Sequence, residues 1–316
     1  GMHMSSKYGY TIDEIEKEKI PNIYKYINHS GNPSLESIPA STMIGFGNYI
    51  KEFKPDLVVI HGDRVEALAG ALAASFNNFL VAHIEGGEIS GTIDEHIRHA
   101  ISKVSHIHFV ANQEAKRRLI QMGERSGDIF VIGSPDIDVA LSNNLPALSS
   151  AKKRYSIKFD KYAVLIYHPI TTEADSMENQ ALTLSQAVLE SNMNYIVIHP
   201  NNDPGKDIIQ NVYDKNLVGN QRFMFFPSIR FEYFLTFLKN AHFIIGNSSS
   251  AIREAPYYGV PAINIGTRQN NRVKAAKECL FNCNPKKEDI FALIKKFSDK
   301  KVRFKPVKIF GYGNSD

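Results

Sequence analysis

Acidic side chains follow two short apolar segments in the first half of the chain. Leu57–His61 runs into Gly-Asp-Arg with Asp63, and residues 79–84 run into Glu-Gly-Gly-Glu with Glu85. If both segments are parallel strands, the carboxylates lie at the sheet edge where α/β proteins bind ligands. Burial and mutual repulsion can separate their pKa values, so that one serves as acid and the other as base. The structural alternative is that Asp63 caps the next helix and Glu85 pairs with Arg64.

A third carboxylate, Asp94, lies at the start of a predicted helix that also carries Arg98. Residues four apart share a helical face, so a simple surface ion pair is one interpretation. The other is that Asp94 points toward the same ligand site as the carboxylates that follow the strands.

Histidines alternate with both of the strand-end carboxylates. His61 precedes Asp63 by two residues, and His83 precedes Glu85 by the same spacing. Residues at that spacing share one side of a strand and could bind a metal ion. A metal-dependent hydrolase is therefore a competing interpretation, as is a structural role for the two imidazoles.

A Gly-Asn-Ser-Ser-Ser sequence at 246–250 follows another apolar segment and precedes a predicted helix. Glycine permits a tight turn, Ser248 and Ser249 offer hydroxyls, and free amides at a helix start attract phosphate. An N-cap alone would also explain the serines. Gly-Thr-Arg with Arg268 follows the next apolar segment and could bring a guanidinium to the same phosphates.

Two His-Pro pairs end predicted strands in the second half. His168 precedes Pro169, and a His-Pro-Asn sequence ends at Asn201. A histidine at such an edge could neutralise a diphosphate or move a proton, although a structural histidine is an equally good interpretation.

The elements that must position these residues follow the pattern of an α/β fold. Apolar runs of strand length alternate with amphipathic stretches of helix length, as expected for a parallel sheet flanked by helices. A polar segment at 141–155 is the predicted linker between two domains. The predicted strands are 57–61, 79–84, 107–110, 129–132, 163–167, 195–198, 223–226, 243–245 and 262–265.

Length and composition limit the classes of function. The 316 residues suffice for two domains, and 43% hydrophobic with 22% charged residues excludes wholesale disorder. No apolar run is long enough to cross a bilayer and no signal peptide is recognisable, so we expect a cytoplasmic protein without a membrane partner. A net charge of +4 favours a small anionic ligand over nucleic acid. Cys279 and Cys283 are expected to be reduced thiols without a metal.

The motifs together resemble one enzyme family. His-Gly-Asp-Arg at 61–64, His-Ile-Glu-Gly-Gly-Glu at 83–88, Ser-Gly-Thr-Ile-Asp at 90–94 and Gly-Asn-Ser-Ser-Ser at 246–250 are similar to those of UDP-N-acetylglucosamine 2-epimerases. The second and third motifs resemble the hydrolysing branch, which makes N-acetylmannosamine for sialic acid synthesis and has relatives in legionaminic acid pathways. The resemblance extends over almost the whole chain.

This resemblance implies a fold and an assembly. We expect two Rossmann-like domains in the B-type glycosyltransferase arrangement, with the active site in the interdomain cleft. Residues 1–145 would carry the catalytic carboxylates and residues 146–316 would bind UDP. The family's first strand and its Gly-Thr-Arg loop would precede Gly1, and loss of that loop would impair activity. The family also implies a homodimer or a homotetramer.

The resemblance further implies roles for individual residues. A UDP-sugar would be the substrate, and neither a cofactor nor a metal would be needed. Residues at matching motif positions fall into a catalytic set and a set that holds the UDP-sugar. The catalytic set is Asp63, Glu85, Asp94 and His168; the UDP-sugar set is Arg64, Asn201, Ser248, Ser249, Glu254 and Arg268.

The C2 proton of such a sugar has no neighbouring carbonyl to acidify it, so elimination of UDP followed by hydration is the expected reaction. The alternatives are a hydrolysing epimerase for a UDP-2,4-diacetamido-trideoxy sugar, a non-hydrolysing epimerase, and a UDP-sugar transferase or binding protein.

Overall fold

The computed structural model describes residues 2–5, 10–29, 34–201, 203–270 and 278–315. These residues divide into two compact units. The first comprises the described residues within 1–89, 93–134 and 314–316, and the second comprises 90–92 and those within 135–313. None of the helices in the described ranges has the length and apolar character needed to cross a bilayer.

The first unit alternates strands with helices along the chain. Short 3-10 helices lie at Met2–Met4 and Ser126–Asp128. The other elements, in chain order, are α1 (Ile12–Lys17), α2 (Ser37–Phe53), β1 (Leu57–His61), α3 (Val65–Phe76), β2 (Leu80–Ile84), α4 (Ile93–Lys103), β3 (Ile107–Val110), α5 (Gln113–Gln121) and β4 (Ile129–Val131).

In the described part of this unit, the strands form one parallel sheet in the order β1-β2-β3-β4. Val58 and Val81 face a core that contains Ala71 and Ile101 from the helices. The sequence predicts a fully buried first strand, but Val59 is 55% exposed. The reason is that β1 lies at the end of this strand order and alternates between an exposed and a buried face.

The second unit contains the larger sheet. Its helices and strands are α6 (Pro135–Leu141), α7 (Leu148–Arg154), β5 (Ala163–Ile166), α8 (Met177–Glu190), β6 (Tyr195–Ile198), α9 (Lys206–Asn216), β7 (Phe223–Phe226), α10 (Phe231–Asn240), β8 (Ile244–Gly246), β9 (Ala262–Ile265), β10 (Leu280–Cys283) and α11 (Lys287–Ser298). Three 3-10 helices add to these at Thr171–Ser176, Ser249–Ala251 and Ala255–Tyr258.

Across its described strands, this sheet has the order β10-β9-β8-β5-β6-β7 and every pairing is parallel. Its strands are apolar on both sides: Leu165 belongs to one hydrophobic core and Val164 to another on the opposite face. The chain proceeds from β5 through β6 to β7 and then returns to place β8 on the other side of β5. This reversal is the topological switch point at which such sheets bind ligands.

The structure corrects two boundaries. The second unit begins at Pro135 rather than at residue 146, because α6 packs within it: the Tyr258 hydroxyl donates to the Ala140 carbonyl at 2.6 Å. The predicted linker at 141–155 contains α7, whose Ala151 is buried in the core of the second unit. The charged and polar residues of α7 face outward, so the segment has little apolar periodicity.

Two further differences concern β10 and the segment after β8. The sequence analysis missed β10, which is short and carries Asn282 between apolar residues. It also predicted a regular helix after residues 246–250, where the structure has 3-10 turns. Pro256 explains this, since proline has no N–H and its ring would clash with a preceding helical carbonyl.

Candidate active site

Asp63 lies in the loop after β1, beyond a tight turn at Gly62, whose φ is +81°. Arg98 from α4 donates through Nη2 to Asp63 Oδ2, and its Nη1 donates to the Glu88 carbonyl at 2.9 Å. The Arg98 side chain is 2% exposed, whereas that of Asp63 is 31% exposed. Asp63 is therefore anchored through one oxygen and still accessible. It does not cap α3, because Arg64 occupies that N-cap position.

Glu85 directly follows β2 in a left-handed backbone conformation, with φ of +68°. Its backbone N–H donates to Phe109 O at 2.8 Å, which helps to hold this conformation. Ser134 donates from its hydroxyl to Glu85 Oε1 at 2.5 Å, and His61 Nε2 lies 3.4 Å from Oε2. A non-glycine residue in this region stores roughly 1–3 kcal/mol of strain, and such strain concentrates at functional sites.

His83 is a buried structural histidine. Its Nε2 donates to the Gly62 carbonyl at 2.9 Å, so Nδ1 accepts from the Ser102 hydroxyl at 3.0 Å. Burial lowers the pKa of His83 to about 4, which keeps the ring neutral. Because both ring nitrogens already form hydrogen bonds, His83 does not act as the metal ligand that a metal-dependent hydrolase would need. Within the described ranges, no group of three or more His, Cys, Asp or Glu side chains could hold a metal ion.

The other two predicted residues of the first unit lie at helix starts. Asp94 is the second residue of α4, where the helix dipole favours a negative charge. Arg64 caps α3 through its backbone, and its side-chain Nε lies 3.4 Å from Glu66 Oε2. Asp63 and Glu85 thus follow two hydrogen-bonded neighbouring strands, and Arg64 and Asp94 begin the helices that come next.

His168 follows β5 at the switch point of the second unit. Its Nδ1 accepts from the backbone N–H of Asn201 at 3.1 Å. Burial, together with the nearby Arg268 charge, lowers the pKa of His168 well below its usual value. The ring is therefore neutral and carries its proton on Nε2, which makes Nε2–H a hydrogen-bond donor.

Asn201, Asp203 and Arg268 form a second cluster beside this histidine. Asn201 Nδ2 donates to Asp203 Oδ2 at 2.6 Å, and Arg268 Nη2 lies 3.7 Å from the same oxygen. Within the part of the chain that is described, Asn201 Oδ1 is buried and has no hydrogen-bond partner. A buried acceptor of this kind suits an N–H or O–H group of a ligand.

Ser248 and Ser249 follow β8 on the other side of the switch point. Ser248 is buried and accepts from the Ser250 backbone N–H at 3.3 Å, as the N-cap of a 3-10 helix. Glu254 is also buried, with Oε1 3.9 Å from Arg253 Nε. Because this helix has three residues, a helix dipole contributes little to phosphate binding, and the serine hydroxyls with Arg268 would carry it.

Several residues for which no role was predicted contact the predicted site residues or adjoin them in the chain. Ser134 binds Glu85, and Asn247 hydrogen bonds to both backbone groups of His168. Gln269 Nε2 donates to the Asn247 carbonyl at 2.8 Å, and the Thr267 hydroxyl donates to Glu173. Asn247, Thr267 and Gln269 each adjoin a predicted residue in the loops after β8 and β9, which is the signal that could have identified them.

The two units offer complementary chemistry. The first presents anchored carboxylates, which accept and release protons. The second presents a neutral histidine donor, serine hydroxyls and a guanidinium, which stabilise negative charge on oxygen. Groups of the first kind can move a proton, and groups of the second kind can bind an anionic group.

Comparison with known proteins identifies close relatives. The family model described as UDP-N-acetylglucosamine 2-epimerase matches residues 1–316. The chain is 47% identical over 273 residues to a UDP-N-acetylglucosamine 2-epimerase of Neisseria meningitidis serogroup B, covering 86% of this chain and 72% of that protein. It is 37% identical over 288 residues to a UDP-N,N'-diacetylbacillosamine 2-epimerase (hydrolyzing) of Legionella pneumophila, covering 87% of this chain and 74% of that protein.

A solved structure has the same fold. The UDP-GlcNAc 2-epimerase of Methanocaldococcus jannaschii, in complex with UDP-GlcNAc and UDP, superposes with a TM-score of 0.79 at 25% identity. The match covers 95% of this chain and 84% of that one. The expectation of two Rossmann-like, parallel-sheet domains of this family's type is confirmed.

Proposed function

The chain belongs to the UDP-N-acetylglucosamine 2-epimerase family, and we propose that it is a hydrolysing member, which converts UDP-N-acetylglucosamine and water into N-acetylmannosamine and UDP. The observation that carries this proposal is the pair of carboxylates after β1 and β2, each anchored through a buried partner. The Glu-Gly-Gly-Glu sequence at 85–88 and the relative named as hydrolyzing support the hydrolytic outcome.

The first half of the proposed reaction is an elimination. A carboxylate removes the C2 proton, the C2–H electrons form the C1=C2 double bond, and the C1–O bond to the diphosphate breaks. The products are UDP and 2-acetamidoglucal. Water then adds, with hydroxyl to C1 and a proton to C2 on the face opposite to the original hydrogen. These two steps cause no net oxidation or reduction, so they need no redox cofactor.

Asp63, Glu85 and Asp94 would share the acid and base roles. Glu85 contacts a hydroxyl donor and an imidazole, whereas Asp63 contacts a permanently charged guanidinium. These different surroundings are the condition under which two carboxyl groups take opposite roles.

The second unit would receive the departing negative charge. Ser248 and Ser249 supply hydroxyls, and Arg268 supplies a guanidinium to the diphosphate. His168 Nε2–H would add a neutral donor, and Glu254 would accept from the ribose hydroxyls.

A UDP-2,4-diacetamido-trideoxy sugar is the second candidate substrate. The Legionella pneumophila relative is named for UDP-N,N'-diacetylbacillosamine, and it is 37% identical to this chain. The elimination would be the same at C1 and C2, and only the substituents at C4 and C6 of the sugar would differ. The product would enter nonulosonic acid synthesis of the sialic or legionaminic type.

Proton and phosphorus NMR of the complete protein with UDP-N-acetylglucosamine in deuterated water would test the proposal. We expect stoichiometric UDP release and free N-acetylmannosamine with deuterium at C2. Accumulation of UDP-N-acetylmannosamine without free sugar would instead establish a non-hydrolysing enzyme. Turnover of only the 2,4-diacetamido substrate would select the second candidate. The Asp63→Asn variant provides the control for non-enzymatic hydrolysis.

A further inference from the structure

Asn247 directly follows β8 and has no exposed surface. Its side-chain amide lies against the backbone of His168: Oδ1 accepts from the His168 N–H at 2.7 Å, and Nδ2 donates to the His168 carbonyl at 2.9 Å. The two hydrogen bonds engage both peptide groups that flank the His168 side chain. They fix the backbone position from which the imidazole extends.

The backbone of Asn247 makes two further connections. Its N–H donates to Ile166 O at 3.1 Å, at the end of β5. Its carbonyl accepts from Gln269 Nε2 at 2.8 Å, one residue beyond Arg268. Asn247 thus contacts the loops that follow β5 and β9, while its own loop carries Ser248.

The β5–β8 pairing explains why an asparagine stands here. The register between these strands ends with Ile166 opposite Gly246. One residue further, the Asn247 side chain supplies a donor and an acceptor to His168 in the loop after β5, as a paired strand backbone would. A side-chain amide combines a donor and an acceptor in one planar group, as a peptide group does.

We propose that Asn247 is a positioning residue, which holds His168 in its Nε2–H tautomer and keeps the loops of His168, Ser248 and Arg268 in register. The inference rests on the proposed function in one respect, namely that these three residues bind the UDP-sugar. The tautomer depends on the Asn201 N–H reaching His168 Nδ1. That contact requires the His168 backbone to stay where Asn247 places it.

Two variants separate the contributions of the amide. Asn247→Asp keeps the size and the acceptor but loses the donor, and it places a carboxylate against the His168 carbonyl. Asn247→Ala loses both hydrogen bonds. Asn264→Ala is the matched control, because Asn264 is a similarly buried asparagine, on β9, whose Nδ2 donates to Asn282 Oδ1 at 2.8 Å.

The decisive readout is the imidazole 15N spectrum of the protein without substrate, with the His168 signals assigned by their loss in His168→Gln. We expect the wild type and Asn264→Ala to show distinct protonated Nε2 and unprotonated Nδ1 signals. In Asn247→Ala and Asn247→Asp the two signals should move toward each other, as the tautomers mix. We also expect kcat/KM to fall about 100-fold in Asn247→Ala, the loss typical of a reacting group misplaced by about 1 Å.

An unchanged His168 spectrum in both Asn247 variants would overturn the positioning role, whatever their activity. Equal losses of kcat/KM in Asn247→Asp and Asn264→Ala would also contradict it. If Asn247→Ala does not fold, the isosteric Asp variant decides alone. Because the spectrum needs no turnover, a wild-type protein that is inactive toward UDP-N-acetylglucosamine would refute the proposed function and leave this test intact.

Discussion

Adding one methyl group to a glycine should have opposite effects at two positions of this chain. Gly246, the last residue of β8, has φ of +133°, which L side chains rarely adopt. A Cβ there would lie 2.6 Å from the carbonyl carbon of Ile166 on β5 and would overlap its oxygen. Gly47 lies inside α2, and a Cβ there would lie 4.0 Å from the Ala73 Cβ, an ordinary contact.

The magnitudes follow from these geometries. At Gly246 the backbone conformation costs roughly 1–3 kcal/mol for alanine, and the overlap with a neighbouring strand adds roughly 1–3 kcal/mol. We therefore expect Gly246→Ala to lower the free energy of unfolding by about 4 kcal/mol. Gly47→Ala should raise it by about 1 kcal/mol, because alanine is the better helix former.

Urea denaturation followed by circular dichroism would measure both variants against the wild type, and UDP titration would measure binding. Gly246→Ala should also bind UDP more weakly, since Asn247 and Ser248 follow it directly. A Gly246→Ala protein as stable as the wild type would refute the claim that β5 and β8 approach too closely for a side chain. A lower free energy of unfolding in Gly47→Ala than in the wild type would show that α2 has no room for a side chain at this position.

Three further predictions concern the carboxylates, the buried imidazole and metal ions. Asp63→Asn and Glu85→Gln should each lower kcat about 1000-fold, within the usual range for general acid–base groups, with UDP affinity retained in calorimetry; wild-type turnover in either variant would remove that residue from the mechanism. Burial lowers the pKa of His83, so His83 binds a proton more readily in the unfolded chain than in the folded protein. The stability that neutral His83 contributes is therefore fully present above pH 6.5 and is lost as the pH falls toward about 4. This loss is up to roughly 3 kcal/mol. Urea midpoints should therefore depend less on pH in His83→Gln than in the wild type, and an equal pH dependence would contradict this prediction. Turnover should persist in excess EDTA, because protein donors meet the phosphate charge; activity that vanishes and returns with added metal would revive the metal interpretation.

The sequence predicts most strands of the fold and the positions of the candidate residues along the chain. Apolar runs such as Ala163–Ile166 and Tyr195–Ile198 coincide with β5 and β6, because the buried strands of a parallel sheet are continuous apolar segments. The carboxylates after β1 and β2 follow from the same reasoning, since their strands end where polar residues begin. These are local properties, which one sequence contains.

The partners of these residues could not be predicted, because they depend on which strands become neighbours. Ser134 and Glu85 are 49 residues apart in the chain, and Asn247 and His168 are 79 apart. The first pair needs the parallel pairing from β2 through β3 to β4, and the second needs β8 to return beside β5. The hydrophobic periodicity of the individual segments does not indicate which of these strands become neighbours. Arg98 illustrates the same limit: sequence spacing suggested Asp94 as its partner, and the structure places it on Asp63.

The contrast between the anchors of the two units bears on the proposed mechanism. In the first unit, side chains hold the proposed catalytic carboxylates directly: Arg98 binds that of Asp63 and Ser134 binds that of Glu85. In the second unit, Asn247 instead binds the backbone of His168. A side-chain anchor contacts the carboxylate itself, so its removal lets that carboxylate leave the position the proposed mechanism needs. A backbone anchor acts indirectly, through the position of the loop from which the side chain extends. We therefore expect Ser134→Ala to lower kcat through a displaced Glu85, and Asn247 variants to lower kcat/KM through a displaced His168 loop. Steady-state kinetics would measure both, and wild-type kcat in Ser134→Ala would contradict the first expectation.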